Sequence, residues 1–171
     1  MKKSYFLIVT ITLLSIVLIS GCLTSKHYEE NGISFNYPSN WKTGVINDLP
    51  GALVGISESS QVDVKIFRYN KTNDTSLREV YINSLTNKSI TLDEYCYKQI
   101  SNTTLTVDGV LAYELIYQIG CNDTQTRQKI REVWFEKNGY IYRITCTVIP
   151  PEDFPTKNRS FNEIINSFHV N

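Results

Sequence analysis

Apolar and polar residues alternate through much of the chain after residue 31. Ile33-Ser34-Phe35-Asn36-Tyr37 sets every second side chain on one face, which predicts a strand, and Pro38 stops it. Residues 52–57 and 62–69 read as two more strands, the second placing Val62, Val64 and Ile66 against Asp63 and Lys65. The period then lengthens. Ser76-Leu77-Arg78-Glu79 is a capping-box pattern, and Leu77, Val80, Tyr81 and Leu85 fall on one helical face. Residues 97–107, Asp108-Gly109 and residues 110–120 read as a hairpin, because a two-residue turn with both central φ angles positive favours Asp-Gly. Residues 129–137, Asn138-Gly139 and residues 140–149 give a second hairpin, ended by Pro150-Pro151. A further capping box, Ser160-Phe161-Asn162-Glu163, predicts the opening of a last helix with Phe161, Ile164, Ile165 and Phe168 on one side. Hairpins dominate and no strand–helix alternation repeats. The predicted class is α+β, an antiparallel sheet flanked by helices.

The turns also fix registers. With an Asp108-Gly109 loop, Cys96 faces Cys121 across a non-hydrogen-bonded pair, whose Cα atoms lie about 4.5 Å apart, within reach of a disulfide. A Cys96–Cys121 bridge is therefore expected, although a bulge in either strand would shift this register. Cys146 alternates with Tyr142, Ile144 and Val148 and reads as a buried free thiol. In the second hairpin an Asn138-Gly139 loop pairs Trp134 with Arg143, Phe135 with Tyr142 and Val133 with Ile144. Val133, Phe135, Tyr142 and Ile144 make the core face. Glu132, Trp134, Glu136, Ile141, Arg143 and Thr145 make the other. Trp134 stacked on Arg143 is a candidate partner-binding patch if that face is open, and a packing contact if helices cover it.

The N-terminus departs from these patterns. Met1-Lys2-Lys3-Ser4 is followed by an uncharged, apolar stretch over residues 5–19. About 15 residues at ~1.5 Å rise fall short of a ~30 Å hydrocarbon core, which favours a signal peptide over a spanning helix. Ile19-Ser20-Gly21-Cys22 resembles the lipobox, in which small residues admit the peptidase and the cysteine thiol carries the lipid. The expected organisation is a lipoprotein signal peptide over residues 1–21, a lipidated Cys22 and tether over residues 22–31, and one domain over residues 32–171. The domain would sit on the outer face of the cell membrane. Six Asn-x-Ser/Thr sequons, at Asn70, Asn73, Asn87, Asn102, Asn122 and Asn158, mark possible glycosylation sites in that compartment.

Composition narrows the chemistry. The 171 residues are 42% hydrophobic and 12% aromatic, enough for one sizeable core. Without Lys2 and Lys3 the chain carries 15 basic and 17 acidic residues, a balance that gives no overall electrostatic pull toward nucleic acid or anionic lipid. The two histidines, His27 and His169, have no nucleophile and orienting acid at readable spacing, so no catalytic residues are assigned. The acidic pairs Glu29-Glu30, Asp93-Glu94 and Glu152-Asp153 read as solvated faces or a turn. No metal-ligand spacing or phosphate-cradling loop is present, and no cofactor is expected.

Three segments together resemble a known family. Residues 32–41, the segment Val107-Asp108-Gly109-Val110-Leu111-Ala112-Tyr113-Glu114, and Gly139-Tyr140-Ile141-Tyr142-Arg143-Ile144-Thr145 with the closing residues 161–168 are similar to the PsbP-like family, in its prokaryotic lipoprotein form. That family is named after an extrinsic subunit of the plant oxygen-evolving complex, and the resemblance implies an antiparallel sheet flanked by helices. The matching motifs are structural, so no functional residue carries across, and fold does not transfer function. The expected function is a noncatalytic cell-surface lipoprotein that binds or stabilises an unidentified membrane-associated partner. The alternative is an extracytoplasmic receptor for a small ligand or ion.

Overall fold

The computed structural model describes residues 24–72, 74–121 and 127–171. Five strands come first: β1 (Ser25–Glu30), β2 (Ile33–Pro38), β3 (Lys42–Gly44), β4 (Ala52–Ser59) and β5 (Val62–Asn70). Helix α1 (Leu77–Thr91) and a 3-10 turn (Asp93–Tyr95) lead to β6 (Lys98–Val107), β7 (Val110–Ile119), β8 (Gln128–Lys137) and β9 (Tyr140–Val148). A second 3-10 turn (Pro151–Asp153), α2 (Phe154–Asn166) and β10 (His169–Val170) complete the order. The strands form two sheets, β1-β2-β10 and β3-β4-β5-β9-β8-β7-β6, with antiparallel neighbours throughout. The α+β antiparallel class read from the sequence is what the chain adopts.

Local chemistry sets most of these elements. Three hairpins turn on Asn31-Gly32, Asp108-Gly109 and Asn138-Gly139, and in each pair both residues hold positive φ. At α1 the Ser76 hydroxyl accepts from the Glu79 N–H at 3.2 Å while the Glu79 carboxylate accepts from the Ser76 N–H at 2.8 Å. The last helix corrects the sequence reading. It opens at Phe154, not at Ser160, because the 3-10 turn delivers the chain already wound and Pro155 sits in the first turn, where its missing N–H costs nothing. Ser160 is an interior position. Phe161, Ile164, Ile165 and Phe168 are buried as the periodicity required.

The reading of residues 22–31 as a lipidated cysteine and tether is corrected for residues 25–30, which form β1. Every residue of β1 pairs with β2, from Ser25 opposite Pro38 to Glu30 opposite Ile33. One side chain, Tyr28, is buried, and it stacks on Phe35 at 4.9 Å. An edge strand held by backbone hydrogen bonds and one aromatic needs no apolar period, so the pattern hid it.

The seven-stranded sheet buries both faces. On one face α2 and the small sheet enclose the larger core, with Phe35, Trp41, Phe161, Ile164 and Phe168 against Val64, Ile66, Val133, Phe135, Tyr142 and Ile144. On the other, α1 covers a smaller cluster of Leu115, Tyr117, Ile130, Trp134 and Ile141. The hairpin turns and β10 gather at one end of the molecule, where Arg68 Nη1 donates to the Asn31 carbonyl and Asp108 meets His169. The start of β1, Ser39 to Lys42 and the β4–β5 turn point the other way, as the pairing of Lys42 with Ser57 shows.

Candidate functional site

The first described residue, Thr24, lies at a polar corner. The Ser39 N–H donates to the Thr24 carbonyl at 2.9 Å, and the Thr24 and Ser39 hydroxyls lie 2.6 Å apart. Lys26 reaches the Trp41 carbonyl at 3.5 Å. Ser25 Oγ bonds the Glu163 carboxylate of α2. Lys26, Asn40 and Lys42 are exposed around this corner. Among the described residues no ion pair includes either lysine; the nearest acid on β4, Glu58, is taken by Lys157 at 2.5 Å. Cys22 and residues 1–21 lie outside the described residues. No described helix is long and apolar enough to cross a membrane.

Trp134 and Arg143 stand opposite each other, as the turn register predicted, with the guanidinium 5.1 Å from the indole centroid. The partner-binding reading is corrected, because α1 closes this face. Trp134 is 4% exposed, and Arg143, half-buried, packs 4.1 Å over the Phe67 ring. What the helix covers is a buried carboxylate. Glu132 is 3% exposed and accepts from Trp134 Nε1 at 3.0 Å and from Tyr117 Oη at 3.1 Å. Lys88, from the last turn of α1, completes the arrangement with Nζ 3.0 Å from Glu132 Oε2. Its ammonium also lies 5.7 Å from the Trp134 ring centroid and 5.9 Å from that of Tyr117. Burial, followed by the adjacent Glu132 charge, pushes the Tyr117 hydroxyl far above its ordinary range. It therefore acts as a fixed hydrogen-bond donor. This cluster clamps a helix to a sheet, and an open groove along α1, lined by Val80, Asn83, Ser84, Asn87 and Thr91, reaches it only at Lys88 and Trp134. Sequence reasoning placed Glu132 on this face but did not reach Lys88, whose spacing from Leu85 and Tyr81 on the same helical face was the available signal.

Cys96 and Cys121 are disulfide-bonded, with Cα atoms 5.1 Å apart. The route differs from the predicted one. The hairpin keeps its register from Val107–Val110 to Ser101–Ile116, then a bulge at Ile100 shifts it so that Gln99 faces Tyr117. Cys96 lies outside β6, in left-handed conformation after the 3-10 turn, and the Gly120 N–H bonds the Tyr95 carbonyl at 2.7 Å to hold the two segments together. Cys146 is free and buried, and burial pushes its thiol up to about 12. Of the sequons, Asn70, Asn87 and Asn102 are exposed. Asn158 is half-buried within α2, its Oδ1 accepting from Arg131 at 2.9 Å, a poor setting for a bulky sugar. Asn73 and Asn122 lie outside the described residues.

A cleft of about 540 Å³ runs between the free edges of β1 and β3, lined by His27, Tyr28, Glu29, Thr43, Val45 and Leu53 among others. His27 Nδ1 is 2.8 Å from Asn36 Oδ1. Among the described residues no three His, Cys, Asp or Glu side chains group to hold a metal ion.

Several solved structures share this fold at low identity. The solution structure of cyanobacterial PsbP (CyanoP) from Synechocystis sp. PCC 6803 is 16% identical with a TM-score of 0.66, over 90% of this chain and 96% of that one. LpqN of Mycobacterium tuberculosis, described as involved in cell envelope biogenesis, is 14% identical with a TM-score of 0.58, over 85% and 88%. The Saccharomyces cerevisiae Ran-binding protein Mog1p is 10% identical with a TM-score of 0.60, over 86% and 96%. No curated relative matches the sequence. The PsbP-like protein family matches residues 13–170, nearly the whole chain, and the chain belongs to that family.

Proposed function

We propose that this protein is a noncatalytic, lipid-anchored domain on the outer face of the cell membrane that binds or stabilises a membrane-associated partner. The observation that carries the reading is the lipobox-like Ile19-Ser20-Gly21-Cys22, which ends two residues before Thr24, whose carbonyl already accepts from the Ser39 N–H of the fold. A domain held this closely has a high effective concentration toward neighbouring membrane proteins and a low one toward soluble partners. The buried Glu132–Lys88 pair supports the noncatalytic part. Its charged groups are spent on one another and on the helix that covers them.

The test is cross-linking of the full chain in native membranes, followed by purification and mass spectrometry. A single stoichiometric membrane protein is expected, and cross-linked peptides would map its contact face. Cys22→Ser is expected to leave the fold intact and release the domain or leave it unprocessed. Recovery of normally lipidated, processed protein from that variant would refute the anchor. A second reading, a receptor for a small polar molecule, is favoured by the β1–β3 cleft. It predicts a ligand-induced rise in Tm that His27→Ala abolishes.

A further inference from the structure

We infer that the corner formed by Thr24, Lys26, Ser39, Asn40 and Lys42 rests on the lipid headgroups, so that the domain stands with its hairpin-turn end away from the membrane. This rests on lipidation of Cys22. One residue, Leu23, separates Cys22 from Thr24. Two peptide steps span at most about 7 Å between the Cα atoms of Cys22 and Thr24. The headgroup layer of one leaflet is itself about 5–8 Å deep. An acylated Cys22 at the base of that layer therefore holds Thr24 at its outer surface.

Thr24 cannot peel away to lengthen the connection without losing its carbonyl's bond to the Ser39 N–H, and then the pairing of Ser25 with Pro38. What would be a tether in a flexible design is here the first strand of a sheet. The corner's chemistry suits a headgroup layer. Its side chains are hydroxyls, an amide and two ammonium groups. Of the carboxylates near it, Glu58 is neutralised by Lys157, and Glu163 accepts from Ser25 and keeps its charge, which leaves the two lysines in excess. Lys26 and Lys42 are thus available to headgroup phosphates, each worth about a factor of five in surface affinity toward anionic lipid. A chain with no overall positive charge acquires a locally basic face where its anchor enters.

At the opposite end, Leu111 is 59% exposed just after the Asp108-Gly109 turn, and by this orientation it faces solvent. Photo-cross-linking of the full-length, lipidated protein in vesicles containing anionic phospholipid tests the inference. A photoactivatable residue at Asn40 is expected to give lipid adducts roughly tenfold more often than one at Leu111, because only the former reaches the headgroup layer. Lys26→Glu with Lys42→Glu is expected to reduce the Asn40 adducts severalfold. Equal adducts at Asn40 and Leu111 on protein whose Cys22 peptide is acylated would overturn the orientation and leave the anchor standing. Undiminished Asn40 adducts in the double variant would remove the lysines from the interface. An unmodified Cys22 peptide would overturn the anchor and the orientation with it.

Discussion

The two faces of the seven-stranded sheet are held by different physics. The α2 face is mostly an apolar interior: Phe135 stacks on Tyr142 at 5.2 Å, Phe168 meets both rings, and Phe35 stacks on Phe168 at 6.0 Å. It also holds the largely buried Arg131–Glu114 pair, with Arg131 bonded to Asn158 and Asn162 of α2. Among the described residues its hydrophobic cluster gathers 24 buried apolar side chains against six for the α1 face, so area does most of the work there. The α1 face is built from tyrosines, a tryptophan and one buried carboxylate. Its helix is attached by Tyr81, whose hydroxyl donates to Asn102 Oδ1 at 2.8 Å, and by Lys88. A few directed bonds can fix a helix, but they free less energy than a broad apolar contact. The α1 face should therefore open locally before the molecule unfolds as a whole.

The largest expected effect is on the apolar side. Phe135→Ala removes a fully buried ring from the centre of the α2 face and should lower unfolding free energy by about 3–5 kcal/mol. Chemical denaturation measures it, with loss of the whole transition midpoint and no selective change at α1. A loss below about 1 kcal/mol would mean that the two faces do not differ as described.

Next comes the disulfide, which ties the segment after α1 to the end of β7. Its sequence separation is 25, and reduction should cost about 3 kcal/mol by loop entropy. Cys146 sharpens the measurement. With the Cys146 thiol held neutral in the core, mild reduction of native protein should make Cys96 and Cys121 reactive, and Cys146 should label only in denaturant. Simultaneous labelling of all three would show that the apolar face opens as readily as the α1 side.

The Lys88–Glu132 clamp should contribute less. Lys88→Met strands a buried carboxylate and is expected to cost about 2–3 kcal/mol, beneath the range for a fully enclosed pair because Lys88 keeps some contact with water. Hydrogen exchange should accelerate in α1 and remain unchanged in α2. Adding Glu132→Gln should recover much of the loss, since a neutral amide leaves no unpaired charge and still offers an acceptor to Trp134 Nε1 and Tyr117 Oη. If the double variant is as unstable as the single one, the clamp is not the means of attachment.

The same contrast explains what the sequence revealed. The α2 face was legible because apolar and polar residues alternate in β2 and through most of β5 and β9, which burial of one apolar side causes. The turn dipeptides then gave the Trp134–Arg143 register correctly. The cover over that pair was not legible, since nothing in β8 alone says which face a helix will close. β1 was missed because its composition is polar; Asn31-Gly32, the same turn dipeptide used at Asn138-Gly139, was the signal. The Cys96–Cys121 pairing came out right although the ladder argument fails at Ile100. The bulge is a local rearrangement with no pattern of its own, and the 3-10 turn restores the approach of the two cysteines.

The smallest effect lies where the apolar face is closed at its end. Asp108 binds Lys137 Nζ at 2.5 Å, His169 Nδ1 at 2.7 Å and the Val170 N–H at 2.9 Å, so one turn carboxylate pins β10 over the core. Burial pushes its carboxyl up, but hydrogen bonds from Lys137, Val170 and His169, with the His169 charge, outweigh it and hold Asp108 below the usual carboxylate range. A depressed folded value means stability that is present above the unfolded value, near pH 4, and lost as pH falls through the folded one. Asp108→Asn should therefore cost about 1 kcal/mol at neutral pH, reduced by partial solvent screening. The gap between variant and wild type should close as the pH is lowered below about 4. Denaturation curves at several pH values test this. A gap that persists undiminished at the lowest pH would mean that the carboxylate's charge contributes nothing, and that β10 is held by Phe168 and Val170 packing alone.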